Sequence, residues 1–170
     1  MLSVSSRPAQ LGPNANVRTE RHGDENVTAV DVSVTFGISE EELDALLGPG
    51  THDRLYRNGL DGEPVEPAIA GLACLPFAEK IEGVEVVMRI GVARQACSLG
   101  VCNLARIVLT PAVGGMTEVK LQVQSRPVPK MRALLESSLN REVELDLTPL
   151  PEPAPAPEVG GEQANLGLPH

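Results

Sequence analysis

Two stretches of alternating apolar and polar residues open the chain and predict a β-hairpin. In the second stretch, apolar side chains recur at every other position, at Val30, Val32, Val34 and Phe36. A period of two is typical of a strand with one buried face. The polar segment Gly23–Asn26 joins this stretch to the first, so we expect a hairpin from about Asn16 to Phe36.

The same period returns later in the chain, at residues 83–90, 99–109, 118–124 and 141–147, with a short strand predicted within 71–77. These segments predict a mainly β fold, an antiparallel β-sandwich or distorted barrel of about seven strands with two or three short helices. The apolar positions of the alternating segments should form one core. They are Val30, Val32, Val34, Val84, Val86, Val119, Leu121, Val123, Val143 and Leu145.

Helix signals are confined to three places. Ser39 followed by Glu42 has the spacing of a capping box, and Gly48–Pro49 ends the apolar stripe that follows it, so a helix is predicted over 39–47. Thr51 is the predicted start of a second short helix. Apolar residues at helical spacing predict a third helix over 128–139.

The two ends of the chain differ from the middle. Residues 1–14 contain Pro8, Gly12 and Pro13 without periodicity, which predicts a flexible N-terminal arm. Residues 149–170 hold six of the 15 prolines, three glutamates and no Lys or Arg, which predicts a disordered, acidic, Pro-rich tail. The β-sandwich domain is therefore expected over 15–148, with a long loop at 60–70 and a connection at 91–98.

Composition limits the function classes. Hydrophobic residues make up 42% of the 170 residues but aromatic ones only 2%, so the core must be aliphatic. The net charge is −9, and −6 without the tail, which argues against a non-specific nucleic-acid binder that works by overall charge. No apolar run is long enough for a membrane helix, and the N-terminus lacks the apolar core of a signal peptide. Three cysteines form no disulfide framework, so a cytosolic, reduced protein is expected.

Candidate catalytic and metal-binding residues are few. Cys97 and Cys102 stand alone at C-x4-C spacing and the three histidines are scattered, so reduced thiols are expected rather than a metal site. His22 beside Asp24 and Glu25 could form an acid–base pair, but a solvated turn is the ordinary interpretation. We expect neither enzyme activity nor a cofactor.

Basic residues suggest one binding surface. Arg18 and Lys120 lie on predicted polar strand faces, while Arg126, Lys130 and Arg132 surround the break after a strand. These five residues are the predicted nucleic-acid contacts. Scattered arginines that serve solubility are an equal alternative, because single-strand binders usually add aromatic stacking platforms that this chain nearly lacks.

The opening hairpin resembles the start of a family of bacteriophage and prophage proteins with an R-x-E-[KR]-H-G-D-E-x-V motif before an A-D-[IV] strand. The matching residues are Arg18, Glu20, Arg21, His22, Gly23, Asp24, Glu25, Val27, Ala29 and Asp31, with Val30 inserted between the last two. Leu55–Tyr56, the Gly114–Gly115 turn and the final helix and strand also match, so the resemblance spans residues 16–147. The Pro-rich tail and the region from Cys97 to Cys102 are not part of it.

Such genes are found among phage DNA replication and recombination functions, so the resemblance implies a pathway and supplies no catalytic residue. It leads us to expect a non-enzymatic phage accessory protein of DNA replication or recombination in the host cytoplasm. Its expected partners are single-stranded DNA, bound weakly, and phage or host replication and recombination proteins, with no membrane. The alternative is a protein-binding module, such as an inhibitor of a host defence complex or a virion component.

Overall fold

The computed structural model describes residues 2–22, 24–58, 63–69, 71–91 and 93–151. Nine strands and three helices lie in these ranges. The helices are α1 (Glu40–Leu47), α2 (Thr51–Leu55) and α3 (Pro129–Glu136). The strands are β1 (Val4–His22), β2 (Glu25–Ile38), β3 (Tyr56–Arg57), β4 (Glu66–Pro67), β5 (Leu75–Phe77), β6 (Ile81–Ile90), β7 (Gln95–Pro111), β8 (Thr117–Ser125) and β9 (Glu142–Pro149).

Seven strands form one antiparallel sheet in the order β5-β7-β6-β9-β1-β2-β8, and β3 and β4 form a separate small pair. The long strands β1 and β7 change neighbours along their length. The first part of β7 pairs with β6 and its second part with β8, from Asn103 to Pro111. The sheet therefore folds over on itself in a sandwich-like arrangement and is not a regular closed barrel. The predicted mainly β, antiparallel fold with short helices is confirmed.

The core is mainly aliphatic, as expected from the low aromatic content of the sequence. All ten predicted core residues are buried in a single cluster. Alternation explains this result, because β8 carries Val119, Leu121 and Val123 on its buried face and pairs in register with Phe36, Val34 and Val32 of β2. Neighbouring strands therefore bury the same face.

The prediction of a flexible arm over residues 1–14 is wrong. Strand β1 begins at Val4, and both Leu2 and Leu11 are fully buried. Pro8 and Gly12 do not break the strand, because Pro8 lies in the register with β9 and Gly12 falls at the irregularity between Leu11 and Ala15. Residues 2–11 thus contribute to the core through Leu2, Val4, Ala9 and Leu11.

Two further predictions need correction at their boundaries. The connection expected over 91–98 is shorter, because β7 already begins at Gln95. Strand β9 runs to Pro149, which was assigned to the tail. The rest of the predicted disordered tail, residues 152–170, lies outside the described residues, as do residues 60–62 and 70 of the predicted loop.

Helix predictions are confirmed, with modest changes in length. Ser39 and Glu42 form the predicted capping box at the start of α1. Asp44 then fixes the start of α2, because its carboxylate accepts hydrogen bonds from the backbone N–H groups of Gly50 at 2.7 Å and His52 at 2.9 Å. The helices have five to eight residues, and no described helix is long and apolar enough to span a membrane.

Replacing Asp44 by asparagine should lower the stability of the fold in a pH-dependent way. The hydrogen bonds from the backbone N–H groups of His52 and Gly50 hold the pKa of Asp44 below its usual value. A carboxylate with a lowered folded-state pKa stabilises the fold above its unfolded pKa of about 3.9, and this contribution is lost as the pH falls through the lower folded value. Asp44→Asn should therefore melt below the parent at pH 7, and the gap should close in acid.

Thermal melts at pH 7 and in acid check this expectation. The control is Asp53→Asn, in the first turn of α2. A gap between Asp44→Asn and the parent that does not change with pH would contradict it.

Candidate nucleic-acid interface

A polar groove of about 230 Å³ lies on the outer face of the sheet where β1, β2, β7 and β8 run side by side. Charged and amide side chains make up most of its lining: Arg18, Glu20, Lys80, Asn103, Gln124 and Arg126. The groove contains the outward-facing polar residues of four strands, which the alternation of each strand places on the side opposite the core.

Strand register explains why these side chains meet. Asn16 is paired with Asp31, Asp31 with Gln124, and Gln124 with Asn103, so four polar residues form one row across β1, β2, β8 and β7. Neighbouring strands lie about 4.8 Å apart, so the row spans roughly 15 Å. Of this row, Asn103 and Gln124 line the groove, whereas Asp31 is buried.

Beside this row, two arginines and two carboxylates form an ion network, here called the Glu20 network. Arg18 forms an ion pair with Asp31, and its Nη2 lies 2.6 Å from Oε1 of Glu20. Arg126 donates to Oε2 of the same carboxylate from Nη2 at 2.7 Å and from Nε at 2.9 Å. Glu20 therefore holds together two arginines that are 108 positions apart in the sequence.

The electrostatics of the Glu20 network favour the ionised forms of Glu20 and Arg18. Hydrogen bonds from Arg126 and Arg18 hold the pKa of Glu20 below its usual value. Hydrogen bonds to Asp31 and Glu20 raise the pKa of Arg18. Two cations and two anions nearly cancel, and Lys80 at the groove is itself paired with Glu82, its Nζ 3.1 Å from Oε1. The positive character of the groove is therefore limited to the exposed parts of Lys80 and Arg126.

Asp31 is the buried member of the network. Its side chain is 6% exposed, and Oδ1 has no hydrogen-bond partner among the described residues. A buried carboxylate depends on its counter-ion, because an unpaired charge in a poorly solvated position is strongly destabilising. Arg18 therefore has a structural task in addition to any contact with a ligand.

The five predicted contact residues are only partly brought together. Arg18 and Arg126 line the groove, and Arg126 also borders a second depression of about 550 Å³ whose lining includes Arg132. Arg132 is paired with Glu136 at 2.8 Å on α3. Lys120 and Lys130 are exposed and line neither depression. The structure thus places three of the five around one continuous surface.

Sequence reasoning missed Glu20, Lys80, Asn103 and Gln124 as groove residues. A signal existed for Glu20, because it is two positions from Arg18 and must share its face of a strand. Lys80 directly precedes β6 and Asn103 lies within β7, and only the fold places them beside Arg18. Three motif residues that carry the phage resemblance, Arg18, Glu20 and Asp31, belong to the Glu20 network.

Outside the groove, one group of side chains in the described part of the chain has metal-ligand character. The ligand atoms of Glu40, His52 and Asp53 lie within 4.8 Å of one another. Nε2 of His52 is 3.2 Å from the carbonyl oxygen of Gly115, and its Nδ1 is 3.7 Å from Oε2 of Glu40. Both carboxylates are exposed and only three ligands meet, one short of a structural zinc site. The expectation of no metal stays a prediction.

The cysteines are free and do not form a site with one another. Cys97 and Cys102 are buried in the core, whereas Cys74 is exposed. Burial raises the pKa of Cys97 and raises that of Cys102 to about 12. Buried thiols with raised pKa values are poor nucleophiles, so these two residues act as small core side chains.

Comparison of the chain with protein-family models, with curated proteins and with solved structures found no significant match.

Proposed function

We propose that this protein is a non-enzymatic accessory protein of phage DNA replication or recombination that contacts single-stranded DNA through the groove. The observation that carries the proposal is the meeting of Arg18 and Arg126 on Glu20 beside Lys80. The DNA-metabolism part of the proposal is supported by the motif resemblance, whose residues Arg18, Glu20 and Asp31 belong to this network.

Arg126 is the residue best placed to contact a phosphate. Its side chain is 53% exposed, and Glu20 engages Nε and Nη2 on one side of the guanidinium. Fixing a guanidinium by a carboxylate pre-orients its remaining donors and reduces the entropy lost on binding. Lys80 lines the same groove and is 43% exposed, with its Nζ 3.1 Å from Oε1 of Glu82. Like Arg126, it is a cation paired with a single carboxylate, and the two can contact successive phosphates.

The contact must be weak and sensitive to salt. Phe36 and Tyr56 are buried in the core, and Phe77 is partly buried and packs against it. None of the three lines the groove, so none is placed there to stack on a base. Without stacking, affinity depends on displaced counterions, and each phosphate contact on a single strand contributes about −0.7 to the slope of log K against log salt. Two or three contacts give a slope on the order of −2.

The lining of the groove also supports a non-enzymatic role. The described part of this lining contains neither Cys nor His, and the hydroxyl of Ser125 donates to the carbonyl oxygen of Val30 at 3.1 Å. Glu20 is engaged by two arginines, and the hydrogen bonds that lower its pKa weaken it as a general base. A groove of this kind suits binding rather than covalent chemistry.

Replacing Arg126 by glutamine should weaken the binding of a labelled single-stranded oligonucleotide of about 16 nucleotides. Fluorescence anisotropy at low and moderate salt measures both affinity and salt slope. We expect the slope to become shallower by about 0.7 because one phosphate contact is lost. Arg57→Gln is the matched control, since Arg57 is also exposed and paired with one glutamate, Glu66, at 2.9 Å.

Two results would contradict the proposal. No binding by the parent at low salt would remove DNA contact altogether and leave a protein-recruiting role. Equal loss in Arg126→Gln and Arg57→Gln would show that overall charge, and not the groove, attracts the oligonucleotide.

The second candidate, a protein-binding module, is favoured by an open strand edge. Among the described residues, the ladder of β1 with β2 extends to His22, whereas its ladder with β9 ends at Gln10. A strand edge without a partner can accept an extended peptide by β-augmentation. Affinity purification from infected cells after nuclease treatment distinguishes the two: one stoichiometric host enzyme favours this candidate, and phage replication proteins favour the first.

A further inference from the structure

Glu40, His52 and Asp53 form a group of potential metal ligands where α1 and α2 meet. Glu40 begins α1, whereas His52 and Asp53 lie on α2. Their ligand atoms lie within 4.8 Å of one another, and Nδ1 of His52 is 3.7 Å from Oε2 of Glu40. No sequence motif signals this group, because Glu40 is 12 positions from His52 and only the turn between the helices brings them together. None of the three residues lines the groove.

The surroundings of His52 hold its ring in place and leave one nitrogen free. The imidazole is 14% exposed and stacks on Tyr56 at a centroid distance of 4.6 Å, and its Nε2 lies 3.2 Å from the carbonyl oxygen of Gly115. A carbonyl oxygen only accepts hydrogen bonds, so Nε2 carries the proton and the lone pair of the neutral ring is on Nδ1. Metal-binding histidines typically donate their second ring N–H in this way. Nδ1 is therefore oriented toward Glu40 as a metal ligand.

The two carboxylates are available to complete a metal site. Among the described residues, neither Glu40 nor Asp53 is paired with Lys or Arg, so an ion displaces no cation when it binds. Ligand atoms around a tetrahedral ion with bonds of about 2.1 Å lie about 3.4 Å apart. The 3.7 Å from His52 to Glu40 is close to this spacing, and both exposed carboxylates can rotate toward the ion. Asp44, which accepts from the backbone N–H of His52, adds a further negative charge nearby.

We propose that Glu40, His52 and Asp53 bind a divalent transition-metal ion such as Zn²⁺, with water in the remaining positions. Three protein ligands are too few for a structural zinc site but match the open type of site, which keeps a position for water. The imidazole nitrogen favours Zn²⁺ over Ca²⁺ and Mg²⁺, which prefer oxygen ligands. The bound ion links α1 to α2 and, through His52, to the turn between β7 and β8 at Gly115. This site goes beyond the proposed function and does not depend on it.

A Zn²⁺ titration of the full chain, followed by nuclear magnetic resonance of the histidine rings, tests the site. All samples carry Cys74→Ser, because the exposed thiol of Cys74 would itself bind Zn²⁺. At mildly alkaline pH we expect the Nδ1 signal of His52 to shift and to saturate at a single ion per chain, while Nε2 stays protonated. The rings of His22 and His170 should respond only at higher Zn²⁺ concentrations. Ca²⁺ should leave the ring signals of His52 unchanged.

Substitutions of the ligands separate coordination from general charge. Glu40→Gln and Asp53→Asn should each weaken Zn²⁺ binding at least about 10-fold, since loss of a group that only orients a ligand already costs about 10–100-fold. Both residues are exposed, so these variants should fold even if His52→Gln, which should abolish binding, does not. The control is Glu41→Gln in the same first turn of α1, which changes the net charge equally and should leave the affinity nearly unchanged.

Three results would overturn the inference. The first is a Nδ1 signal of His52 that does not move when Zn²⁺ is added in excess. The second is a Glu40→Gln variant that weakens binding no more than Glu41→Gln, because overall acidic charge then attracts the ion. The third is an equal response of His52 to Ca²⁺ and Zn²⁺, which would exclude coordination by the imidazole. None of these results bears on oligonucleotide binding, so the metal site and the proposed function are tested independently.

Discussion

Replacing Arg18 by alanine is expected to lower the free energy of unfolding by about 3 kcal/mol. This value is at the lower end of the range for removing one partner of a buried ion pair. Asp31 is 6% exposed and its Oδ1 already lacks a hydrogen-bond partner among the described residues, so Arg18 is the cation on which this carboxylate depends. Chemical denaturation at neutral pH measures the loss. Because this residue supports the fold, the DNA-binding test uses Arg126 instead.

Two variants serve as controls for the Arg18 prediction. Arg126→Ala removes the outer arginine of the Glu20 network and leaves the pair of Arg18 and Asp31 intact, so its effect should be much smaller. Combining Arg18→Met with Asp31→Leu should recover most of the lost stability, because replacing both charges by apolar groups removes the unpaired buried charge. An Arg18→Ala variant that unfolds with the parent would contradict this explanation of Asp31.

Leu121→Ala is expected to cost about 2–5 kcal/mol, the range for large-to-small substitutions in a packed core. Leu121 is 1% exposed, and it lies on β8 paired with Val34, between Val119 and Val123 on the same buried face. Denaturant unfolding measures the change. Lys120→Ala, one position away on the outer face, should stay within about 0.5 kcal/mol of the parent. Equal stability of Leu121→Ala and the parent would remove Leu121 from the core.

The sequence predicted the core wherever a strand keeps one phase of alternation. Strands β2 and β8 have no register shift between them from Val30 to Ile38, so every second residue stays on the buried face. The capping box of Ser39 and Glu42 was equally readable, because it depends on neighbouring residues alone. Local patterns with regular geometry are therefore what this chain reveals most directly.

Bulges explain most of what pattern analysis missed. In β1, the buried positions change from Leu2 and Val4 to Ala9 and Leu11, with Ser6 at φ 49° between the two pairs. Because of this change of phase, no single period of two runs through the start of β1, and the pattern predicts a flexible arm there. In β7 the buried positions change twice. Near Gly100, at φ 71°, they change from Cys97 and Leu99 to Cys102 and Leu104. Near Arg106, at φ 51°, they change again, to Ile107 and Leu109. A bulge shifts the alternation by one residue, which a single period cannot follow.

The candidate site was predicted only in part, for a different reason. Arg18 and Arg126 could be recognised one by one as cations on polar faces, but their meeting on Glu20 depends on long-range pairing of β2 with both β1 and β8. Lys80 reaches the groove because β6 pairs with β7, another contact that no local pattern contains. The hairpin register alone brings Arg18 close to Asp31, which makes that pair the most predictable part of the Glu20 network.

The groove as the DNA-contacting surface is tested most directly by following backbone amide signals of the full chain while a single-stranded oligonucleotide is added at low salt. Nuclear magnetic resonance should show the largest shifts at Asn103, Gln124, Ser125 and Arg126, with the shifts reversed by added salt. Shifts confined to α1 and α2, to the open edge of β1, or to no residue at all would contradict the account.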